Sequence, residues 1–251
     1  METHAQELHN APGHGWKHYL FEFFMLFLAV FCGFLAENWR EHIVDQEREQ
    51  QYIKSFYEDL TADENDQQRT INNLDHEVKI ADSLFALLNN INITQPANQV
   101  YMQLRGITRS GASLLHVNDR TIVQLRNSGG MRLIRDKNVS DSMTVYYKEI
   151  GNLQFLFDES VNIRRSLREK YEPLLNANDF AKIVDSTNTI INPKDILHLR
   201  SADPNILNSC LLEINNIRGL SIGTKKRIQI LKDQVERIKK YLEKEYQANE
   251  N

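Results

Sequence analysis

The sequence predicts an all-α protein in which an N-terminal transmembrane helix continues into a long stalk helix, packed in an elongated antiparallel helical bundle. Three observations lead to this prediction. One stretch near the N-terminus has the composition of a membrane span, apolar residues elsewhere recur every seven positions, and only five Pro and ten Gly occur in 251 residues. Because Gly and Pro mark turns and linkers, their scarcity predicts few, long helices and no internal domain boundary.

The predicted transmembrane helix is residues 16–39, WKHYLFEFFMLFLAVFCGFLAENW. Between Tyr19 and Ala36 every residue except Glu22 is apolar or Gly. At about 1.5 Å per residue, a helix from Lys17 to Ala36 approaches the roughly 30 Å thickness of the hydrocarbon core. A Trp stands at each end of the segment, where amphipathic rings prefer the headgroup level. We therefore expect the lipid bilayer to be a partner of this protein.

A cleaved signal peptide is the alternative interpretation, because the uninterrupted apolar run, residues 23–36, is short for a span. Signal peptidase prefers small residues at positions minus three and minus one, and a cut after Ala36 would put Phe34 at minus three. Cys32 follows Val-Phe rather than two small residues, so lipid attachment to a new N-terminal Cys is not expected. The helical pattern also continues past Trp39 without Gly or Pro, which favours an anchor.

One face of the predicted span differs from its Phe- and Leu-rich remainder. Its members recur at helical spacings of three and four residues, and they include small residues and a carboxyl group near the end of the span. Small residues let helices approach closely, and a carboxyl group in lipid is costly without a partner. We expect contact with a second copy or another membrane protein; an ion path and simple snorkelling to the interface are the alternatives. The predicted contact face comprises Glu22, Leu26, Ala29, Gly33, Ala36 and Glu37.

The remainder of the chain divides simply around this segment. Residues 1–15 form a polar tail that we expect to be disordered, and residues 40–251 form a helical soluble domain. Apolar residues at heptad spacing, typical of a coiled coil, predict its long helices. In the first of these helices the apolar repeat includes Phe85, and the core positions turn polar at Glu64 and Gln67. The long helices are predicted near 40–90, 137–175 and 204–247.

Shorter elements are predicted between the long helices. A short helix, VYMQLRGI, and a Gly/Ser loop precede a helix capped by Asn118 or Asp119. Residues 106–113 have the Gly spacing of a phosphate-binding loop, but Ala occupies the Lys position and no apolar strand precedes it, so nucleotide binding is not expected there. Further on, Pro193 and Pro204 each follow a capping residue, which predicts the start of a helix.

Charge is distributed unevenly between the first and last long helices. Residues 37–66 contain three Lys or Arg against ten Asp or Glu, and residues 218–244 contain nine against three. Opposite blocks favour antiparallel packing of the two helices, with the basic residues at 225–227 facing the acidic block. The polar interruptions of the two repeats further predict a register that places residues 64–67 opposite 221–224. The alternative is that the basic face meets solvent, anionic lipid or an outside partner.

Two stretches together resemble a known group of sequences. FEFFMLFLAVFCGFLAENWREHIVDQEREQQYIKSFYEDL, residues 21–60, is similar to the N-terminal signature of uncharacterised single-span membrane proteins of Gram-negative bacteria. TIVQLRNSGGMRLIRDKNVSDSMTVYY, residues 121–147, is similar to a helix, Gly turn and helix further along such chains. The group is a domain of unknown function, so the resemblance implies an inner-membrane protein with an all-α soluble part and no catalytic residue to transfer.

The side of the membrane that holds the soluble domain is left open. Lys17 lies at the N-terminal end of the span, whereas Arg40, Arg48 and Lys54 follow the span, and this balance favours a cytoplasmic domain. The resembling group carries lysines in the leading tail, which implies a periplasmic domain. This chain departs from that pattern because it has a single lysine, Lys17, at that end of the span.

The sequence contains no motif for catalysis. It has no metalloprotease, Cys-x-x-Cys, nucleophile-elbow or dinucleotide pattern, and His76 and His116 stand beside single acidic residues without a nucleophile. Cys210 lies among apolar heptad residues, as a buried inert thiol does. We therefore expect no catalytic residue, metal or cofactor, and the mild net charge of −4 gives no reason to expect nucleic acid as a partner. The expected role is a scaffold or an interaction or sensory module in the inner membrane; an ion-coupled subunit using Glu22 and an unrecognised enzyme are the alternatives.

Overall fold

The computed structural model describes residues 15–109 and 115–247. Within them the chain separates into two compact units, and the boundary between the units lies between Gln50 and Gln51, inside the first helix. The tail predicted to be disordered lies outside the described residues, apart from its last position.

The fold is all-α and forms a helical bundle, as predicted. In the described ranges six α-helices are accompanied by two short 3-10 helices, Gly130–Leu133 and Glu172–Leu174. The same ranges contain no strand beyond one isolated bridge between Val184 and Ile190. The α-helices are α1 (Trp16–Asn89), α2 (Asn98–Arg109), α3 (Arg120–Asn127), α4 (Lys137–Tyr171), α5 (Ala177–Lys182) and α6 (Pro204–Tyr246).

In the second unit, α2 and α3 act as one broken helix that runs back along α1. Gln103 Nε2 in α2 donates to Ser83 Oγ at 2.9 Å. Asn118, just before α3, donates its backbone N–H to Asp63 Oδ1 at 2.8 Å. Later residues of this segment therefore meet earlier residues of α1, which makes the two antiparallel.

The next long helix, α4, runs in the same direction as α1. The Tyr146 hydroxyl donates to Asp63 Oδ2 at 2.6 Å, and further along α4 Arg164 lies 2.5 Å from Glu77 Oε2. α6 then runs antiparallel to both long helices. The second unit is thus a four-helix bundle, in which α1, the broken helix α2–α3, α4 and α6 run in up, down, up, down order.

The buried positions of α1 and α6 follow the heptad rule closely. Each helix presents a seam in which buried residues alternate at spacings of three and four, so one stripe faces the bundle interior throughout. In α1 the seam is Ile53, Phe56, Leu60, Asp63, Gln67, Thr70, Leu74, Glu77, Ala81, Leu84 and Leu88, and in α6 it is Cys210, Ile214, Ile217, Ser221, Thr224, Ile228, Leu231, Val235, Ile238 and Leu242.

The seam of α1 differs in detail from the repeat read in the sequence. Phe85, placed in the predicted repeat, is 40% exposed, and its neighbour Leu84 is fully buried instead. The polar position predicted at Glu64 belongs to Asp63, which is 1% exposed. Both differences have one cause. Leu84 and Phe85 are adjacent apolar residues, and Asp63 and Glu64 are adjacent acidic residues, so either member of each pair could occupy the buried seam. The packing of neighbouring helices determines which member is buried.

The bundle interior contains two apolar clusters separated by a polar layer. The first cluster involves α1 up to Leu74 and α6 from Ile228 onward. The second involves α1 from Ala81 and α6 up to Ile217. Between them the buried residues are polar, and Glu77 of α1 is the centre of this layer. Two cores thus share the same long helices.

The antiparallel packing predicted for α1 and α6 is confirmed, but the predicted register is wrong, and of the three ion pairs given below only the one at Glu64 involves the acidic block of residues 37–66. Ser221 of α6 donates to Glu77 Oε1 at 2.7 Å, so it lies ten residues beyond its predicted partner Gln67. In the observed register, Glu77 of α1 lies beside both Ser221 of α6 and Arg164 of α4. The prediction compared the patterns of α1 and α6 only, so it did not include the contact with α4. The ion pairs between α1 and α6 are Glu64–Lys239 at 3.1 Å, Asp75–Lys225 at 2.5 Å and Asp82–Arg218 at 2.5 Å.

Only one of the three consecutive basic residues forms the expected kind of contact in the described structure. Lys225 pairs with Asp75, which lies beyond the acidic block of residues 37–66. Lys226 and Arg227 are exposed, because each step along a helix turns a side chain by about 100° away from the neighbouring helix.

Of the two helix starts predicted at Pro193 and Pro204, the structure has the second but not the first. Asp203 caps α6, because its carboxylate accepts the backbone N–H of Asn205 at 2.8 Å, and Pro204 occupies the first turn as predicted. The helix start predicted at Pro193 is wrong, since residues 191–203 are irregular. The backbone of this segment forms hydrogen bonds with distant residues instead; for example, the carbonyl of Leu197 accepts the backbone N–H of Ala97 at 2.7 Å.

Candidate functional site

The predicted contact face of the span lies on α1 within the first unit. All six of its residues are helical and exposed, so their spacing keeps them on one side of the helix. A Cβ added at Gly33 would meet no atom within 4 Å, which leaves room there for another helix. Glu37, at the end of the face, accepts Arg40 Nε at 3.0 Å. Contact of this face with a second helix stays a prediction.

Another side of the same helix carries a row of aromatic rings. Phe23 and Phe27 stack with ring centroids 6.4 Å apart, and Phe27 and Phe31 stack at 5.9 Å. These rings are one helical turn apart and are exposed along the row. The segment therefore presents a bulky apolar side and a side with small residues.

In the second unit, two carboxylates of α1 hold the start of α3. Asp59 Oδ2 accepts the backbone N–H of Thr121 at 3.1 Å and its hydroxyl at 2.5 Å, while Oδ1 accepts Arg120 Nη2 at 3.0 Å. Asp119, predicted as a possible cap, occupies the N-cap position but makes no side-chain capping bond. A helix N-terminus favours an acceptor with negative charge, and here the acceptor comes from another helix.

Asp63, one turn further along α1, binds the residues just before α3. Its Oδ1 accepts both the backbone N–H and the side-chain Nδ2 of Asn118 at 2.8 Å, and its Oδ2 accepts the Tyr146 hydroxyl at 2.6 Å. The Tyr147 hydroxyl donates to the carbonyl of Asn118 at 3.0 Å. Three segments, α1, α4 and the start of α3, thus meet at one buried carboxylate.

The electrostatics of this cluster follow from burial. Burial raises the pKa of Asp63, the hydrogen bonds from Tyr146 and Asn118 act against that rise, and the nearby Asp59 carboxylate adds to it. Burial likewise raises the pKa of Tyr146 and of Tyr147, so both phenols stay neutral donors. The cluster is suited to joining segments, because its proton donors are committed to named acceptors.

The second polar cluster is the layer between the two apolar clusters, and Arg164 is its centre. Arg164 is 2% exposed and pairs with Glu77, while its Nε and Nη1 donate to the carbonyls of Ile107 and Ser160, each at 3.0 Å. Glu77 also accepts the Ser221 hydroxyl. Residues of α1, α2, α4 and α6 all contribute to this polar layer.

A third charged group lies between α4 and α6, around the buried carboxylate of Glu213. Glu213 accepts the Ser166 hydroxyl at 2.8 Å, Asn216 Nδ2 at 3.2 Å and Lys170 Nζ. Burial alone would raise the pKa of Glu213, but the hydrogen bonds from Lys170, Ser166 and Asn216 together hold it below its ordinary value. These hydrogen bonds therefore favour the ionised form of the carboxylate.

Beside Glu213 a groove of about 700 Å³ runs along α4 and α6. Gly219 and Gly223 form part of its wall, and a Cβ at either position would meet nothing within 4 Å. Leu156, Ile163 and Leu220 supply apolar surface to the same groove.

The residues considered as catalytic candidates are not brought together by the fold. His76 and His116 are exposed on different segments, and Cys210 is fully buried in the seam, where burial raises the pKa of its thiol to about 11. Across residues 15–109 and 115–247, no group of three or more His, Cys, Asp or Glu has an arrangement suited to a metal ion. A thiol with a raised pKa is a poor nucleophile at neutral pH.

Sequence reasoning missed the buried charges that organise the bundle. Arg164 had a usable signal, since it lies four residues after Ser160 and three before Leu167, which places it on the buried face of α4. Asp59 had none, because its partners lie on a segment more than 50 residues away whose position depends on the whole fold.

No family model matches this sequence, and comparisons with curated proteins and with solved structures return no significant match.

Proposed function

We propose that this chain is a single-pass inner-membrane protein whose helical bundle serves as a scaffold or as an interaction or sensory module, without catalytic activity of its own. In this proposal the bilayer holds residues 16–39, and the span contacts a second copy or another membrane protein through the face containing Ala29 and Gly33. Nucleic acid has no part in it.

The observation that carries the proposal is the exposure of the apolar segment. An 18-residue window of α1 has a mean hydropathy of 2.2, and none of that window is buried. Contiguous apolar surface of this extent is rare on soluble proteins, because exposing it to water is costly. A bilayer supplies the missing apolar surroundings, and the length of the segment suits its thickness. A core helix would be covered, and Phe34 disfavours signal cleavage after Ala36.

The non-catalytic part of the proposal rests on how buried charges are used. Asp59, Asp63, Glu77 and Arg164 all lie below 6% exposure, and each is bonded to a neighbouring helix or segment. Catalytic acids and bases instead need access to a substrate in a pocket. Stable helix-to-helix bonds of this kind suit a rigid module that transmits or holds contacts.

Membrane attachment is tested on the intact chain produced in a Gram-negative bacterium. Washed membranes are extracted with alkaline carbonate, and the protein is followed by immunoblot and intact mass. We expect the full-length chain in the carbonate-resistant pellet. Recovery in the soluble fraction, or a mass that corresponds to removal of the first 36 residues, would overturn the proposal.

Thiol labelling determines on which side of the membrane the bundle lies. Lys226→Cys introduces a thiol at an exposed position, in a background where Cys32 and Cys210 are replaced by Ala. A membrane-impermeant maleimide reacts in intact spheroplasts if the bundle is periplasmic, and only after inner-membrane permeabilisation if it is cytoplasmic. Either result is compatible with the anchor, and each excludes one orientation.

A further inference from the structure

Three arginines line one polar pocket of the second unit. The pocket has a volume of about 320 Å³ and lies between α2, α4 and the turn before the last irregular segment. The described residues that form its wall include no Asp or Glu. They are Arg105, Thr108, Arg109, Arg168, Tyr171 and Asn188.

Arg105 is held in place by its surroundings. Its guanidinium carbon lies 5.0 Å above the centroid of the Phe180 ring, and its Nη2 donates to Asn188 Oδ1 at 3.3 Å. Its Nε is buried and has no hydrogen-bond partner among the residues that the structure describes. A buried N–H without an acceptor is costly, and the described residues offer this one none.

Arg109 is oriented by the same turn. It donates to the backbone carbonyl of Asn188, whose φ of 62° lies in the left-handed region that Asn tolerates better than most residues. The turn is held in this conformation by Asp185, which accepts the backbone N–H of Thr187 at 2.9 Å and of Thr189 at 2.8 Å. Arg105 and Arg109 are therefore both directed by one residue, Asn188.

The three positive charges have no acidic partner within ion-pair distance in the described residues. No ion pair there joins Arg105, Arg109 or Arg168 to an acidic side chain, although thirteen ion pairs are present in the same residues. Arginine forks match the oxygens of phosphate and carboxylate groups. The Tyr171 hydroxyl lies 3.4 Å from Thr108 Oγ1 and donates to it, because the Thr108 hydroxyl itself donates to the carbonyl of Leu104 at 2.6 Å.

We propose that this pocket binds a small ligand through a phosphoryl group. Three guanidinium groups are best offset by an anion with more than one charge, and a phosphomonoester carries about −1.5 to −2 at pH 7. The volume lies at the low end of small-molecule sites, which span about 300–1,000 Å³, so the ligand is a free phosphate or a small phosphate ester.

This site does not use the loop spacing noticed in the sequence. Gly106 lies inside α2, which continues to Arg109, so residues 106–109 form helix and do not provide the free backbone amides of a phosphate-binding loop. Recognition comes from side chains on two helices. The proposal goes beyond the proposed membrane scaffold and does not depend on the anchor.

The test is calorimetric titration of the full-length protein in detergent micelles with inorganic phosphate and, separately, with glycerol 3-phosphate, at constant ionic strength. Arg168→Gln is the principal variant, because Arg168 is exposed and its loss leaves the bundle interior intact. Arg165→Gln is the matched control, since it removes the same charge from an exposed position on the same helix outside the pocket.

We expect saturable one-to-one binding of at least one probe, weakened roughly tenfold or more by Arg168→Gln and unchanged by Arg165→Gln. Tighter binding of glycerol 3-phosphate identifies a phosphate ester as the ligand class, and equal binding identifies phosphate itself. Absence of saturable binding of both probes to the unmodified protein, or equal weakening by the two substitutions, would overturn the proposal. Arg109→Gln provides a second variant whose effect must follow that of Arg168→Gln.

Discussion

Replacing Arg164 with Met is expected to destabilise the bundle strongly, whereas replacing Arg164 and Glu77 together is expected to restore part of the loss. In the single variant the Glu77 carboxylate stays 5% exposed and loses its only cationic partner among the described ion pairs. Removing one partner of a buried ion pair costs about 3–5 kcal/mol, because the remaining charge is left without compensation. Met fills much of the volume of the Arg stem, so the expected loss reflects charge rather than a cavity.

The double variant Glu77→Leu with Arg164→Met removes both charges from the layer. Apolar replacements of a buried ion pair are often neutral or stabilising, and Ser221 retains its second acceptor, the carbonyl of Ile217 at 2.8 Å. The two apolar clusters on either side would then become continuous. We therefore expect the double variant to recover at least half of the free energy lost by Arg164→Met.

The assay is urea unfolding of the full-length protein in mild detergent, followed by circular dichroism. With a slope of about 2 kcal/mol per M, a loss of about 4 kcal/mol lowers the urea midpoint by about 2 M. The control is Arg165→Met, at the exposed neighbouring position, which is expected to change the free energy of unfolding by less than about 0.5 kcal/mol. If the double variant is as unstable as the sum of its two single variants, the reasoning about a coupled charge pair is refuted.

Three further predictions concern other parts of the chain. Glu213→Gln is expected to make the protein less sensitive to acid: the Glu213 pKa is lowered in the folded state, so its stabilising contribution is present above the unfolded pKa of about 4.3 and is lost as the pH falls through the folded pKa. Lys225→Glu is expected to lower the melting temperature more in dilute buffer than in 1 M salt, because it places like charges at the Asp75 contact and salt screens them. Gly33→Leu is expected to reduce self-association of the span in a membrane two-hybrid assay roughly tenfold, since it removes close helix approach, whereas Phe31→Leu is expected to change it little.

Each of these has its own control. For the acid experiment, Glu169→Gln alters an exposed carboxyl on α4, and a shift equal to that of Glu213→Gln would show that the Glu213 hydrogen bonds are irrelevant. For the salt experiment, Lys226→Glu changes the same charge at an exposed site, and equal losses at low and high salt for Lys225→Glu would refute the charge argument. In the two-hybrid assay, equal signals from the two span variants would remove the contact-face prediction together with any role of Glu22 in it.

Much of the architecture could be predicted because it depends on periodicity and local chemistry. The heptad pattern predicts the long helices, and Asp203 with Pro204 marks the start of α6, since capping involves only neighbouring residues. The opposite charges of the first and last helices also predict their antiparallel packing. The register could not be predicted in this way, because it depends on Arg164, which belongs to a third helix.

The polar clusters could not be predicted from the sequence either, because they also depend on contacts between distant segments. Asp59 and Asp63 have the sequence context of a solvated acidic face, with neighbours such as Glu58 and Glu64. Their burial arises only when α3 and α4 pack against α1, a relation among distant segments. The arginine pocket is similar: Arg105 and Arg168 lie on different helices, and Asn188 joins the site through a turn whose conformation no local pattern indicates.

The capping of α3 by α1 has a consequence for the folding cooperativity of the bundle. α3 has only eight residues, and isolated helices shorter than about 12–15 residues are marginal in water, so α3 has little helicity of its own. Asp59 of α1 accepts an amide N–H in the first turn of α3, and Asp63 of α1 accepts the amide N–H of Asn118 just before α3 and also binds Tyr146 of α4. Local opening of α1 at this point therefore releases α3 and the start of α4 together, and their amide hydrogens exchange with solvent as one unit rather than independently.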